Sequence, residues 1–350
     1  MDAAEVVEVA GAPIRVGLLA YGAIGHEHSQ AVQATPGMVL AAVCDTNPAR
    51  IEAALALAPS AAAFTDGIEM LDSGLIDLVV ISTPPDRHFA GARDALSRGI
   101  HVVLEKPMAL TTAQCDELIA MADAAGLLLV VYQNRRFDPD FVAMAEAIAA
   151  GEIGEVFSYE SFVGGYSSPC TYWHSDASVS GGAIFDWGSH FLDQVLAVMP
   201  GRVDHVSGLN QKRHWHHVTN ADHAQVTVTF ADGAQATFIN SDLAAARKPK
   251  FYVLGTEGGI VGDWDPAAGP AVADLPALLT LFRADGTSTP LAPVSPPAHE
   301  FHRSIVRRLR VGTPMAVTSA QSRDVVALME AAEQSALENG RPVTPSLLRG

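Results

Sequence analysis

The sequence predicts an α/β protein: a doubly wound parallel sheet over residues 13–133, then an α+β domain with a large open, mainly antiparallel sheet over 134–350. Three observations carry this. Up to residue 133, short branched apolar runs without polar alternation take turns with helical patterns, as parallel strands buried on both faces require. Beyond it the apolar residues alternate with period two, the pattern of half-buried antiparallel strands. The chain has 350 residues, 49% hydrophobic and 17% charged, enough apolar content for about two cores.

The elements follow in order. Ile14–Ala20 is the first strand, Gly22–Gly25 a turn, and a helical pattern runs from there to Thr35. Met38–Cys44 is a strand. Pro48–Ala58 is a helix with Asn47 as N-cap and Pro48 at its first position. Ile76–Ser82 is a strand and Asp86–Arg98 a helix stopped at Gly99. Ile100–Leu104 and Leu127–Tyr132 are strands around a helix over Thr111–Ala125. Phe137–Ala150 opens the second domain as a helix. Strands follow at Val156–Val163, Val203–Gln211, Gln225–Phe230, Ala234–Asn240 and Phe251–Leu254, with Asp232-Gly233 a hairpin turn between two of them. Asp265–Pro297 reads as loops around one strand. Helices over His299–Arg310 and Ser319–Asn339 close the chain, the second with a Thr318-x-x-Gln321 capping box.

Charge narrows the partners. Lys plus Arg is 22 and Asp plus Glu is 39, a net −17, which repels nucleic acid and speaks against a membrane surface. No apolar run reaches the roughly 18 residues that cross a bilayer. Met1–Pro13 has no early basic residue and reads as a short leader, not a secretory signal. Three distant cysteines, Cys44, Cys115 and Cys170, fit the reducing cytoplasm.

The first strand runs into Gly17-Leu-Leu-Ala-Tyr-Gly-Ala-Ile-Gly25. A strand, glycine turn and helix start form a pyrophosphate cradle, with the amides of Ala20, Gly22, Ala23, Ile24 and Gly25 offered to the phosphates. Ala20 stands where the first glycine of such loops is expected. Asp45 ends the second strand 20 residues after Gly25, the place of an acid that bonds a ribose 2′-hydroxyl. An acid there repels a 2′-phosphate, so NAD is favoured over NADP, with Thr46, Asn47 and Arg50 pulling the other way. Ser82-Thr83-Pro84-Pro85-Asp86-x-His88 follows another strand and faces the same crevice. Ser82, Thr83, Pro84 and His88 are therefore assigned to the cofactor. Glu105-Lys106-Pro107 follows the next strand at the same edge, where Lys106 can meet a nicotinamide and a substrate hydroxyl. Asn134 adds to the cofactor set.

Asp186-x-x-x-His190-x-x-Asp193 places a carboxylate and an imidazole on one helix face. A histidine beside a carboxylate is a ready general base. Gly181-Gly182 upstream allows a sharp approach of the chain. Arg135 and Arg136 suit a sugar hydroxyl or an anion, or a structural ion pair. Tyr166, Tyr172 and Trp173 offer aromatic faces with polar edges to a sugar ring. A neutral sugar or polyol is the substrate expected. His214-Trp215-His216-His217 with Asp222-His223 has no zinc-site spacing, so no metal is expected; a polar sheet or subunit contact is the reading there.

Glu105-Lys106-Pro107 and the Asp186–Asp193 segment, with the Ser82–Pro85 turn and the glycine loop, resemble the glucose–fructose oxidoreductase and inositol dehydrogenase family. The resemblance covers nearly the whole chain. It implies an N-terminal Rossmann domain, a nicotinamide cofactor and homodimers or homotetramers through the C-terminal sheet. Lys106, Asp186 and His190 would stand at the reaction centre. The implied activity is hydride transfer between NAD(P) and a secondary alcohol or ketone carbon of a sugar or polyol. Two alternatives stay open: a glycosidase-type enzyme using bound NAD for transient oxidation, and a catalytically silent sugar or nucleotide sensor.

Overall fold

The computed structural model describes residues 11–266 and 275–348. Its contacts divide the chain into two units. The first holds residues up to Met108, Ala113–Tyr132 and Pro297–Ser319; the second holds Ala109–Thr112, Gln133–Pro296 and the remainder from Ala320.

The sheet of the first unit has six strands: β1 (Ile14–Leu19), β2 (Met38–Cys44), β3 (Ala62–Phe64), β4 (Leu78–Ile81), β5 (His101–Leu104) and β6 (Leu129–Val131). They lie in the order β3-β2-β1-β4-β5-β6, every pair parallel. The order reverses between β1 and β4, and the carboxyl ends of the strands there form the ligand crevice of such sheets. The central strands bury residues of both faces, including Val16, Leu18, Val79, Ile81 and Val102, which is why they show no polar alternation. Asn47 caps the helix Pro48–Leu57 as expected, accepting from the Ala49 amide at 3.0 Å. β3 and the short helix Gly67–Asp72 were not expected. Three residues carry no readable period, and the helix is marked only by Asp66, whose carboxylate accepts from the Ile68 and Glu69 amides.

Pro297–Ser319 was assigned by sequence to the second domain and groups with the first unit instead. The physical reason is the apolar face of the helix Glu300–Val311: Phe301, Ile305 and Val306 are buried, and Phe301 packs edge-on against Tyr132 at 4.8 Å.

The second unit carries eight strands: β7 (Val156–Gly164), β8 (Val203–Gln211), β9 (His223–Phe230), β10 (Gln235–Ser241), β11 (Phe251–Gly255), β12 (Gly258–Asp263), β13 (Leu278–Arg283) and β14 (Ser288–Leu291). Their order is β14-β13-β12-β11-β7-β10-β9-β8. All pairs are antiparallel except β7 with β10. Asp232-Gly233 turns β9 into β10, with Gly233 at φ 92°. One face buries Val226, Val228, Phe238 and Phe251, and the helix Ala183–Val198 lays Phe191 on Phe238 at 5.3 Å. Tyr252, Leu278 and Phe282 are exposed on the opposite face. The Asp265–Pro297 stretch holds two strands among its described residues, where one was expected. β12 was also missed, because its Gly258-Gly259 start has no side chains to alternate. The leader expected over Met1–Pro13 lies almost wholly outside the described residues.

Candidate functional site

The glycine loop leaves β1 at Ala20, whose φ is +76°. An L-residue pays about 1–2 kcal/mol in that left-handed conformation. The turn keeps its shape nonetheless: the Ala20 amide donates to Cys44 O at 2.9 Å, and Ser82 Oγ donates to Ala20 O at 2.8 Å. Ala20→Gly should therefore raise stability by about 0.5–1 kcal/mol, the relief of strain less the extra freedom of the unfolded glycine. A urea midpoint that fails to rise would show the turn to be unstrained.

Gly25 is required by close approach, since a Cβ there would lie 2.7 Å from the Ala20 carbonyl oxygen. Gly22 is the N-cap of the helix Ala23–Ala34 and has no atom within 4 Å of where a side chain would begin. That helix start has no side-chain cap and no acid in its first turn, so the amides of Ala23, Ile24 and Gly25 remain for an anionic ligand. Thr83 Oγ1 is buried with no hydrogen-bond partner. An uncapped helix start behind an open glycine, beside an unsatisfied hydroxyl, fits a dinucleotide.

Asp45 is buried at the end of β2. Its carboxylate accepts from the Tyr21 amide at 2.7 Å and from the Asn47 amide at 2.8 Å, and Arg50 lies 3.5 Å away. It thus holds the glycine loop. Thr46 beside it is exposed. Ser82, expected to be open to nucleotide, spends its hydroxyl on the loop. Pro84 precedes a single turn of tighter helix, Pro85–Arg87.

His88 is fully buried, with Nδ1 2.7 Å from Pro107 O and Nε2 2.9 Å from Thr83 O. Burial pushes its pKa down, against the pull of those two carbonyls. It is a strut tying the Thr83 turn to the Lys106-Pro107 turn, which sets where the half-buried Lys106 leaves the sheet; the ring itself does not face outward as a cofactor ligand. The Lys106–Pro107 bond is cis. Glu105 accepts the Lys106 amide on Oε2 at 3.2 Å and meets His28 on Oε1.

In the second unit, Gly181 and Gly182 have φ of 87° and 105° and turn the chain sharply into the helix Ala183–Val198. Asp186 is half-buried in its first turn, and His190 is buried one turn on. The Trp187 ring lies 5.7 Å from that of His190. Ser189 donates back to Phe185 O at 2.5 Å. Asp193 is bound by Arg136 through two bonds of 2.6 Å, and Arg136 also donates to Gln321 at 2.9 Å. Of the two arginines, Arg136 is structural. Arg135 packs over Trp187 at 5.6 Å and pairs with Asp138 at 3.3 Å; burial pushes Asp138 up to about 6. Asn134 begins the same short turn.

Tyr172 is exposed; a hydrogen bond with Cys170 raises its pKa first, and the Asp186 charge adds. Trp173 stacks on His174 at 3.6 Å, and Tyr166 packs on His214 and Trp215 at 6.2 and 6.0 Å. No group of three or more His, Cys, Asp or Glu that could hold a metal occurs among the described residues. Asp222 organises the His214–His217 turn instead. Burial works against its charge, but Lys212 and the amides of Arg213, His214 and Trp215 hold its carboxyl well below the usual range. Sequence reasoning missed Asp242. Burial first, then Asp222, push it up to about 6, with Asp186 close enough to contribute. Its only sequence signal is a place just past β10.

Glu333 stands against the Gly182 turn, 3.1 Å from where a Cβ would be. Burial pushes it up to about 7 from 4.5, against its bond to Asn210 at 2.7 Å. The folded protein holds this proton more tightly than the unfolded chain, so the stability it brings is full below pH 4.5 and lost as pH rises through 7. Glu333→Gln should gain about 1–2 kcal/mol at pH 8 and nothing at pH 4. Equal effects on urea midpoints at both pH values would contradict the burial argument.

The first unit thus presents an uncapped, glycine-lined helix start, and the second a helix bearing a carboxylate and an imidazole; comparison with known proteins gives the class, an NAD(P)-dependent oxidoreductase. The model of the oxidoreductase family with NAD-binding Rossmann fold, GFO_IDH_MocA, matches residues 14–133, and that of the GFO/IDH/MocA C-terminal domain matches 141–261. The chain belongs to this GFO/IDH/MocA oxidoreductase family. It is 31% identical to the uncharacterized oxidoreductase YdgJ of Escherichia coli, over 71% of this chain and 70% of that one. It is 26% identical to the scyllo-inositol 2-dehydrogenase (NADP(+)) IolW of Bacillus subtilis, over 93% and 94%. The solved structure of an NAD-binding protein from Listeria innocua superposes with a TM-score of 0.82 at 27% identity, covering 96% of this chain and 98% of that one.

Proposed function

We propose that the protein oxidises a secondary alcohol of a sugar or polyol, or reduces the matching ketone, with NAD as its coenzyme. The observation that carries this is the uncapped helix start at Gly22–Gly25, open to an anion, in a chain whose relatives include an inositol dehydrogenase. Bound nicotinamide supplies the hydride acceptor or donor. His190 takes the hydroxyl proton, or returns it in the reverse direction. Lys106 stabilises negative charge developing on the substrate oxygen and holds the reacting group. Asp186 orients the His190 ring and favours its protonated form. Arg135, Tyr166, Tyr172 and Trp173 line the substrate side, with Asp242 added beside Asp186. A screen of sugars and polyols with each coenzyme, followed by the absorbance of reduced nicotinamide, tests the proposal. Turnover of none, or hydrolysis without net reduction of coenzyme, removes it.

Coenzyme choice has its own test. The Asp45 charge supports NAD, while half-exposed Arg50 is placed to soften the repulsion of a 2′-phosphate. Asp45→Asn keeps an acceptor for the glycine loop and removes the charge. It should raise the NADP over NAD ratio of kcat/KM about tenfold, near 1.4 kcal/mol; an unchanged ratio means the ribose is read elsewhere. The exposed Tyr252–Phe282 face supports a homodimer or homotetramer through this sheet. Cys44, Cys115 and Cys170, which form no disulfide, support a reducing cytoplasm, and no helix among the described residues is long and apolar enough to cross a membrane.

A further inference from the structure

A line of buried titratable groups runs behind Glu105 in the first unit. Glu105 Oε1 lies 2.8 Å from His28 Nε2, and His28 Nδ1 lies 3.0 Å from His302 Nε2. The three residues are 8%, 1% and 2% exposed. They come from the end of β5, the helix Ala23–Ala34 and the first turn of the helix Glu300–Val311. The Tyr132 ring closes the flank, 4.5 Å from His28 and 5.6 Å from His302. At the far end His302 Nδ1 is buried with no hydrogen-bond partner, and its ring stands 6.4 Å from that of exposed His299.

Apolar residues would fill this space without the cost of desolvating three polar groups. With both rings neutral the donor order is also forced. An ionised Glu105 only accepts, so His28 donates from Nε2 and accepts at Nδ1. His302 then donates from Nε2 and keeps a lone pair at Nδ1. With both imidazoles neutral, the sole other arrangement that satisfies both contacts has Glu105 protonated and every donor reversed. Passing from one to the other carries one net proton from end to end.

We propose that His28 and His302 form a proton conduit between Glu105 and the solvent beside His299. The conduit rests on the dehydrogenase reading, in which each alcohol oxidised releases one proton. Outward, the Glu105 Oε1–H bond breaks as His28 Nε2–H forms. His28 Nδ1–H breaks as His302 Nε2–H forms, and His302 Nδ1–H passes to water at His299. No electrons are transferred; both imidazole protons return from Nε2 to Nδ1 and the next proton to reach Glu105 restores the first state, so each cycle carries one proton outward. The charged and titratable groups around the line are Lys106 and His88 near Glu105, and His299 near His302. Burial, then His28 and His299, hold the His302 pKa well below the ordinary imidazole value, so the ring relays a proton without storing it.

Two measurements on the full chain test this. With histidine nitrogen labelled, long-range nitrogen–proton spectra at neutral pH should show His28 and His302 both neutral and both in the Nε2–H form. Opposite tautomers on the two rings, or an imidazolium at either, overturn the conduit. In stopped flow with a pH indicator, His302→Phe and His302→Gln should slow proton release about tenfold or more relative to hydride transfer, with added imidazole restoring it. Proton release that keeps pace in both variants also overturns it. Should no sugar or polyol reduce NAD, the dehydrogenase reading falls, and the tautomer spectra still decide the conduit.

Discussion

His190→Ala should lower turnover by about 10²–10⁴-fold, the range of a lost general base, while coenzyme affinity stays unchanged. The ring is buried on the Ala183–Val198 helix, one turn from Asp186, and belongs to the second unit, whereas the glycine loop belongs to the first. Lys106→Met should do the same by a different route: it removes a charge from the substrate oxygen, not a proton acceptor, so raising pH should leave its loss unrescued. The checks are steady-state rates by nicotinamide absorbance and coenzyme titration by protein fluorescence. Full turnover in either variant removes the assigned chemistry. A parallel loss of coenzyme binding would instead move that residue into the nucleotide cradle.

Asp193→Ala should cost about 3–5 kcal/mol of stability. The Arg136 and Asp193 side chains are 11% and 1% exposed and share two bonds of 2.6 Å. Removing the carboxylate leaves a guanidinium that must stay charged in a dry place. The double variant Arg136→Met with Asp193→Leu should recover most of the loss, because no charge then remains to be desolvated. Urea unfolding of the three proteins measures this. A single-variant loss below about 1 kcal/mol would show that water reaches Arg136 and that the pair is an ordinary surface bridge.

Much of this was legible in the chain, for identifiable reasons. β2 and β4 are unbroken apolar runs, and β1 and β5 depart from that only at Arg15 and His101 near their starts, because these strands are covered on both faces; that signal needs no partner to be read. The glycine loop was legible through spacing, although its first position is Ala20 forced to a positive φ. What stayed hidden was decided by partners far away in sequence. Ser82 looks available until Ala20 O is placed 2.8 Å from it. His88 looks like a ligand until Pro107 O and Thr83 O occupy both its nitrogens. Asp193 looks like a third member of a catalytic face until Arg136 claims it. His28 and His302, 274 residues apart, carry no local pattern that joins them.

The return of Pro297–Ser319 to the first unit makes the chain discontinuous in both halves. A fragment ending at residue 133 would carry every strand of the nucleotide sheet, yet it would lack the helix that shields Tyr132 and His28, and would expose an oily flank. Grafting or swapping the coenzyme half between relatives therefore needs two cuts and a transplanted C-terminal piece. During synthesis the amino-terminal half emerges well before its last helix, so it completes its packing only after nearly the whole polypeptide has been made.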